Sequence, residues 1–189
     1  TSFKDANNNN TAYEYDLLNR LVSETSATGS SDSYEYDALS RLTKYVNKRG
    51  QSINYVYDAE GKMTGRRTVE DVVLYTYDAN GNLLTIEDKN GTIARTYDNL
   101  NRVKSYTNAN NQTIGYEYDS VGNLTKLTYP DGKKVTYTYN SMNQMTSVTD
   151  WNNRVTSYTY DNNGRLKSIS RPDGSIETYT YNAIGQLTN

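Results

Sequence analysis

Residues 133–151 read KKVTYTYNSMNQMTSVTDW, and the first half of that stretch decides the fold. In VTYTY, β-branched and aromatic residues alternate with polar ones, the pattern of a strand buried on one side. Val135, Tyr137 and Tyr139 fall on one face, and Thr136 and Thr138 on the other. Asn140 then opens a turn, because its side chain can hold backbone N–H groups at the first turn position. Asn143, three residues on, is of a type that tolerates left-handed backbone. At Met145 an apolar residue returns, and a second strand starts.

The same frame is written nine times. Its tyrosines and acidic or amide residue are Tyr13, Tyr15 and Asp16; Tyr34, Tyr36 and Asp37; Tyr55, Tyr57 and Asp58; Tyr75, Tyr77 and Asp78; Tyr97 and Asp98, with Arg95 in place of the first tyrosine. Then come Tyr116, Tyr118 and Asp119; Tyr137, Tyr139 and Asn140; Tyr158, Tyr160 and Asp161; and Tyr179, Tyr181 and Asn182. The steps are 21 or 20 residues, with no longer insertion. A fixed period of this length marks a stacked repeat array in which no unit folds alone. It favours scaffolding over catalysis.

Each copy carries Gly, Asn or Ser three residues after the Asp or Asn: Asn19, Ser40, Gly61, Gly81, Asn101, Gly122, Asn143, Gly164 and Gly185. Two residues further stands Leu21, Leu42, Met63, Leu83, Val103, Leu124, Met145, Leu166 or Leu187. Another large apolar residue follows three places on, at Tyr45, Ile86, Tyr106, Leu127, Val148 and Ile169. That spacing breaks strict alternation, so the strand either contains a bulge or is partly covered on both faces. Arg49-Gly50, Asn90-Gly91, Asp131-Gly132, Asn152-Asn153 and Asp173-Gly174 mark a second turn. Pro130 and Pro172 stand directly before two of these, where a missing N–H costs least. The fold expected is all-β: tandem β-hairpins making a continuous, twisted and coiled antiparallel sheet of about eighteen strands, on the order of 85 Å long.

Composition excludes several functions. Only 34% of residues are apolar, and 17 of the 20 tyrosines sit in the motif, so much of the buried area has to come from tyrosine rings. Net charge is −2 with no basic stripe, which argues against nucleic acid. No apolar run is long enough for a membrane span. The chain holds no cysteine and no histidine, which excludes disulfides, the usual zinc sites and Ser–His or Cys–His nucleophiles. No cofactor is expected.

Repeats of about 21 residues with a Y-x-Y-D core and a turn running into Gly-Arg-Leu (Gly164–Leu166) or Asn-Arg-Leu (Asn19–Leu21) resemble the RHS/YD-repeat family. Bacterial RHS toxins, wall-associated proteins, insecticidal toxin-complex shell subunits and teneurins belong to it. The resemblance implies a spiralling sheet that wraps into a hollow shell, often around a toxic C-terminal segment, in a secreted or cell-surface protein, here bacterial. It also implies carbohydrate binding or adhesion as an alternative, with cell-surface glycans as partners. The family's core-associated region, which in toxins cleaves off the toxin, has no match here.

The chain reads as one array over 1–189, of about nine repeats of 20–21 residues, beginning and ending in mid-repeat at Phe3 and Asn189. Its expected partners are the remaining repeats and C-terminal region of the same parent chain. Open edge strands also invite edge-to-edge self-association.

Sharper readings stand beside plainer ones. DANGN at Asp78–Asn82 has the look of a calcium loop, but turn capping serves Asn140 and Asn182 equally well, and no metal is assigned. Tyr129 and Trp151 are the candidate ligand contacts. Trp151 is read as replacing the residue that opens the second turn in its neighbours. The 63–74 stretch, MTGRRTVEDVVL, departs locally from the repeat, and its Arg66, Arg67, Glu70 and Asp71 read as a surface salt-bridged turn. Adjacent carboxylates such as Glu87 and Asp88 point to opposite faces, so no catalytic residue is assigned.

Overall fold

The computed structural model describes residues 1–188; Asn189, where the sequence stops, lies outside them. The chain forms two compact units, Thr1–Ala94 and Arg95–Asn189. Among the described residues there is no helix. The strands are β1 (Ser2–Lys4), β2 (Asn10–Tyr15), β3 (Leu21–Thr25), β4 (Ser31–Tyr36), β5 (Leu42–Val46), β6 (Ser52–Tyr57), β7 (Met63–Arg67), β8 (Val72–Tyr77) and β9 (Leu83–Asp88). They continue with β10 (Gly91–Tyr97), β11 (Val103–Thr107), β12 (Thr113–Tyr118), β13 (Leu124–Thr128), β14 (Lys134–Tyr139), β15 (Met145–Thr149), β16 (Val155–Tyr160), β17 (Leu166–Ser170) and β18 (Ile176–Thr178).

In the first unit β1 to β9 pair in chain order, each antiparallel to the next, and Gly91–Ala94 of β10 pairs with β9. In the second unit β11 to β18 do the same. Within each unit the strand contacts are all between neighbours in the chain, so nothing folds back over the sheet. Each unit is therefore one open antiparallel layer, built from tandem hairpins as the repeat predicts.

The three-residue spacing on the second strand of each repeat has one cause, a β-bulge. Tyr36 lies opposite Leu42 while Glu35 lies opposite Lys44, leaving Thr43 as the extra residue. The shift recurs at Tyr15, Tyr57, Tyr77, Tyr118, Tyr139 and Tyr160. One extra residue restores the parity that an odd spacing breaks, so Leu42 and Tyr45 share the tyrosine face. Tyr34 and Tyr45 meet there with ring centroids 5.4 Å apart. Hydroxyls pair across strands elsewhere, as in Thr138 with Thr146 at 2.8 Å and Thr159 with Ser168 at 2.7 Å.

Both turn families have one geometry. In the YD turn at Asp98, the Asp98 N–H donates to the Arg102 carbonyl and the Asn101 N–H to the Asp98 carbonyl. The second turn at Asn108 repeats this with Gln112 and Asn111. Both are three-residue hairpin loops whose last residue has positive φ. Two second turns are one residue shorter: Thr68 closes directly on Asp71, and Asp88 pairs directly with Gly91. Those two loops account for the two 20-residue steps, from Asp58 to Asp78 and from Asp78 to Asp98.

The positive-φ position gives a clean backbone test. Gly122 sits at φ 103°, and a Cβ there would meet nothing within 4 Å. Gly122→Val is expected to lower stability by about 1–3 kcal/mol through backbone strain alone. Gly122→Asn should cost under ~1 kcal/mol, because Asn143 holds the same turn position at φ 59°. Urea unfolding of the two variants distinguishes them; equal losses would refute the backbone account.

The tyrosine face is only half covered. Val73 and Val135, at 9% and 7% exposure, are the buried apolar residues, and among the described residues no side chain is fully enclosed. Most motif tyrosines are half-buried and Tyr15 is exposed. The rings form a row, but nothing in either unit closes over it.

Candidate functional site

Each YD turn is an assembly of three parts: the Asp or Asn, the residue four places on, and the second tyrosine of the following repeat. The Asp98 carboxylate shows the first part. Its Oδ1 accepts the N–H groups of Leu100 and Arg102 at 2.9 and 3.0 Å, and its Oδ2 accepts Arg102 Nε at 2.7 Å. Asp16, Asp37 and Asp161 hold Arg20, Arg41 and Arg165 in the same way. Asp78 and Asp119 take Asn82 and Asn123 at that place. With its acceptors facing its own turn, the Asp78 carboxylate caps backbone. Among the described residues no cluster of three or more acidic side chains is suited to a metal.

Asn140 and Asn182 keep the backbone bonds and exchange the partner. Asn140 Oδ1 accepts Met142 and Gln144 N–H, and its Nδ2 donates to Gln144 Oε1 at 2.9 Å. Asn182 does the same with Gln186. The chemistry is direct: a carboxylate's remaining oxygen needs a donor, whereas a carboxamide's remaining group is a donor and needs an acceptor. Second turns obey the same rule, Asp5 with Asn9, Asp150 with Arg154, Asn47 with Gln51 and Asn108 with Gln112. These partner residues escaped the sequence reading, although Gln follows every turn-opening Asn at the same distance.

The fourth residue then reaches into the next repeat. Arg20, Arg41 and Arg102 donate through Nη1 to the carbonyls of Asp37, Asp58 and Asp119 at 2.9, 2.9 and 2.7 Å. Gln144 donates to the Gly164 carbonyl at 2.7 Å. The same guanidiniums lie over the next repeat's second tyrosine, Arg20 over Tyr36 at 4.9 Å, Arg41 over Tyr57 at 4.9 Å and Arg102 over Tyr118 at 4.7 Å, and Arg165 lies likewise over Tyr181 at 4.5 Å. That tyrosine reaches back. Tyr36, Tyr57, Tyr77, Tyr139, Tyr160 and Tyr181 donate their hydroxyls to the carbonyls of Leu21, Leu42, Met63, Leu124, Met145 and Leu166. The assembly thus stitches successive hairpins in both directions.

The turn bonds hold several carboxyls below the usual range. Backbone N–H donation from the fourth residue leads for Asp16, Asp37, Asp98 and Asp161, and side-chain donation from Asn leads for Asp78 and Asp119. Desolvation raises the phenols of Tyr57, Tyr77 and Tyr139. A carboxyl whose folded pKa is depressed stabilises the fold above its unfolded value and loses that contribution as pH falls through the folded value. The urea midpoint should therefore be flat above about pH 5 and fall steadily below about pH 4. Exchanging pairs for amides, as in Asp119→Asn with Asn123→Gln, should flatten that fall; an unchanged profile would refute the turn carboxylates as its source.

Two sequence expectations change. Trp151 does not replace a turn-opening residue: Asp150 opens that turn, accepting Asn152 and Arg154 N–H, and Trp151 is the exposed residue after it. It is Tyr129 that occupies an opening position. The turn near Glu70 is not salt-bridged, since the described residues show no ion pair from Arg66 or Arg67. Instead the Thr68 hydroxyl accepts the Asp71 N–H at 3.0 Å, a shorter-reach substitute that suits the shorter loop. The Asn-Gly and Asp-Gly pairs lie within or beside these loops without making two-residue turns of their own, except at Asn90, where the loop is Lys89-Asn90 and Gly91 already belongs to the strand.

The family model described as RHS Repeat matches residues 1–31, 15–52, 77–113, 97–134, 118–155, 152–176 and 160–189. No curated protein matches. Among solved structures the chain is similar to one titled TcdB2-TccC3-TEV, at 17% identity and TM-score 0.63, covering 94% of this chain and 11% of that one. It is similar also to TcdB2-TccC3 without its hypervariable C-terminal region, at 18% identity and TM-score 0.63, covering 94% and 12%. At these identities the likeness concerns the fold, and the chain spans about a tenth of the length of those chains. A Photorhabdus luminescens Tc holotoxin pore with a TccC3 mutation, at 15% identity, covers 94% and 13% at a TM-score of 0.47, too loose to argue from.

Proposed function

We propose, given that this chain belongs to the RHS-repeat family, that it is a non-catalytic stretch of wall in a hollow β-shell. The shell belongs to a longer secreted or surface protein and encloses a C-terminal, toxin-like segment. The carrying observation is that each unit is a single layer whose tyrosine face lacks any cover of its own. Domains ordinarily bury such a face against a second layer. A sheet stitched along its length by turn, cation and phenol bonds serves as a wall with an inside and an outside. The likeness of fold to the two TccC3 structures supports the reading.

Thiol labelling tests it, since the chain has no cysteine. Thr156 and Thr159 lie on opposite faces of β16, Thr156 with Tyr158 and Tyr160 on the tyrosine face. In the parent protein, T156C and T159C should react with a bulky maleimide at rates differing at least tenfold, whichever face is inside. In this chain alone both should react. Equal rates in the parent would remove the wall reading.

A further inference from the structure

Along the YD-turn edge of the second unit, we propose a contact with a second copy of this chain, made by the turn-tip side chains Leu100, Val121 and Met142. The YD turns all lie at one edge of the sheet, because consecutive strands are joined alternately at its two edges. In each turn the residue two places after the Asp or Asn donates its N–H to that side chain, as Leu100 does to Asp98, Val121 to Asp119 and Met142 to Asn140. Asn163 makes the same bond to Asp161, so the turn itself does not require an apolar residue here. Yet Leu100, Val121 and Met142 are 63%, 68% and 62% exposed, and Leu18, Leu39 and Ile184 repeat the feature. Solvated turn tips ordinarily carry Asn, Asp, Ser or Gly. A run of exposed apolar side chains marks an interaction surface.

The tips recur on every second strand, so they stand about 10 Å apart in a row. A second rim running the opposite way sets its own tips into the gaps, about 5 Å from the neighbours on either side. A twofold axis beside Val121 does this for all three tips: Val121 of each copy fits between Val121 and Met142 of the other. The side chains that cross between these turns are already engaged. Arg102 donates to the Asp119 carbonyl, Asn123 to Asn143 Oδ1 and Gln144 to the Gly164 carbonyl. Contact at the rim leaves those bonds in place.

Period, charge and area together select a second copy. Two rims of one array share the same step, so their tips stay in register along the contact. A twofold contact sets each residue near its own kind, and the loop residues 99–101, 120–122 and 141–143 carry no charge that would repel its copy. The opposite edge places Asp131 and Asp173 in its loops and lacks that neutrality. A lipid surface is a poorer match, because the three YD loops offer no Lys or Arg to an anionic headgroup. Each tip presents roughly 100 Å² of apolar surface, so six of them cover on the order of 600 Å². That lies below the ~1,200 Å² of a stable complex, and the contact is weak and reversible. It uses the rim rather than the tyrosine face, and so does not rest on the wall reading.

Sedimentation equilibrium of the whole chain should show monomer and dimer with a Kd of about 0.1–1 mM. A triple variant, Leu100→Asn with Val121→Asn and Met142→Asn, places at each tip the residue already found at Asn80 and Asn163. It should keep the circular dichroism and urea midpoint of the unaltered chain while weakening association at least tenfold. Because the chain has no cysteine, Val121→Cys gives a second measurement: a short bis-maleimide should link it between copies and should not link Asn110→Cys at the opposite edge. The proposal is overturned if the unaltered chain stays monomeric throughout that concentration range, even should it bind phosphatidylcholine vesicles, which would give the rim to lipid. It is overturned equally if the triple variant associates as the unaltered chain does, which would point to pairing of strand edges, or if Asn110→Cys links in place of Val121→Cys.

Discussion

Tyr57→Ala is expected to destabilise the first unit by about 2–4 kcal/mol, and Tyr57→Phe by about 1 kcal/mol. The ring is half-buried on the tyrosine face, so its loss costs roughly half of the ~3–5 kcal/mol of a fully enclosed aromatic. The hydroxyl donates to the Leu42 carbonyl at 2.9 Å, a bond worth about 1 kcal/mol. Arg41, stacked 4.9 Å from the ring centroid, contributes about 0.5 kcal/mol more. Phenylalanine removes only the second of these. Urea unfolding followed by circular dichroism measures both. If alanine cost no more than phenylalanine, the ring would carry no packing energy and the tyrosine row would not be the source of stability. If phenylalanine cost nothing, the stitch between repeats would be decorative.

Asn140→Asp should destabilise the second unit by about 1–2 kcal/mol at neutral pH, and adding Gln144→Arg should recover most of that loss. The single change sets a carboxylate against Gln144 Oε1, which now accepts from Asn140 Nδ2. Turning the Gln144 amide over would relieve the contact but would take Nε2 away from the Gly164 carbonyl. One of the two bonds must go. Arginine supplies both donors at once, as Arg102 does with its Nε to Asp98 and its Nη1 to the Asp119 carbonyl. The quantity to measure is the coupling energy of the double-mutant cycle, expected at about 1–2 kcal/mol and favouring the pair. A cycle that closes to zero would mean that turn and partner act independently, and the pairing rule would fail.

Much of the fold was legible because its determinants are local. Alternation in VTYTY assigns the strand, and an αL-tolerant residue three places after Asp or Asn assigns the turn. The nine-fold repetition turns a weak signal into a strong one. The bulge was visible only as an ambiguity, since spacing of three between Leu42 and Tyr45 fits either a bulge or two covered faces. Cross-strand register settles it, and register is a property of two segments at once. The partner rule was written in the sequence, Gln after Asn140 and Asn182 and chiefly Arg or Asn after Asp, but recognising it needs the knowledge that Oδ1 is already spent on backbone. Trp151 was misplaced by one turn position for a related reason: without hydrogen bonds, Asp150 does not announce itself as the residue that opens the turn.

By itself, then, the sequence determined the period, the hairpin, the face on which the tyrosines lie and the family to which the chain belongs. Each follows from a backbone preference or a side-chain alternation confined to a few neighbouring residues. The tertiary structure alone decided that the sheet in each unit stays a single layer, that Arg41 serves the repeat after its own, and that Tyr129 meets Trp151 across two turns. Those facts depend on groups some 15–22 residues apart being carried to one place by the pairing of strands. No local preference encodes such a meeting; only the register of the assembled sheet does.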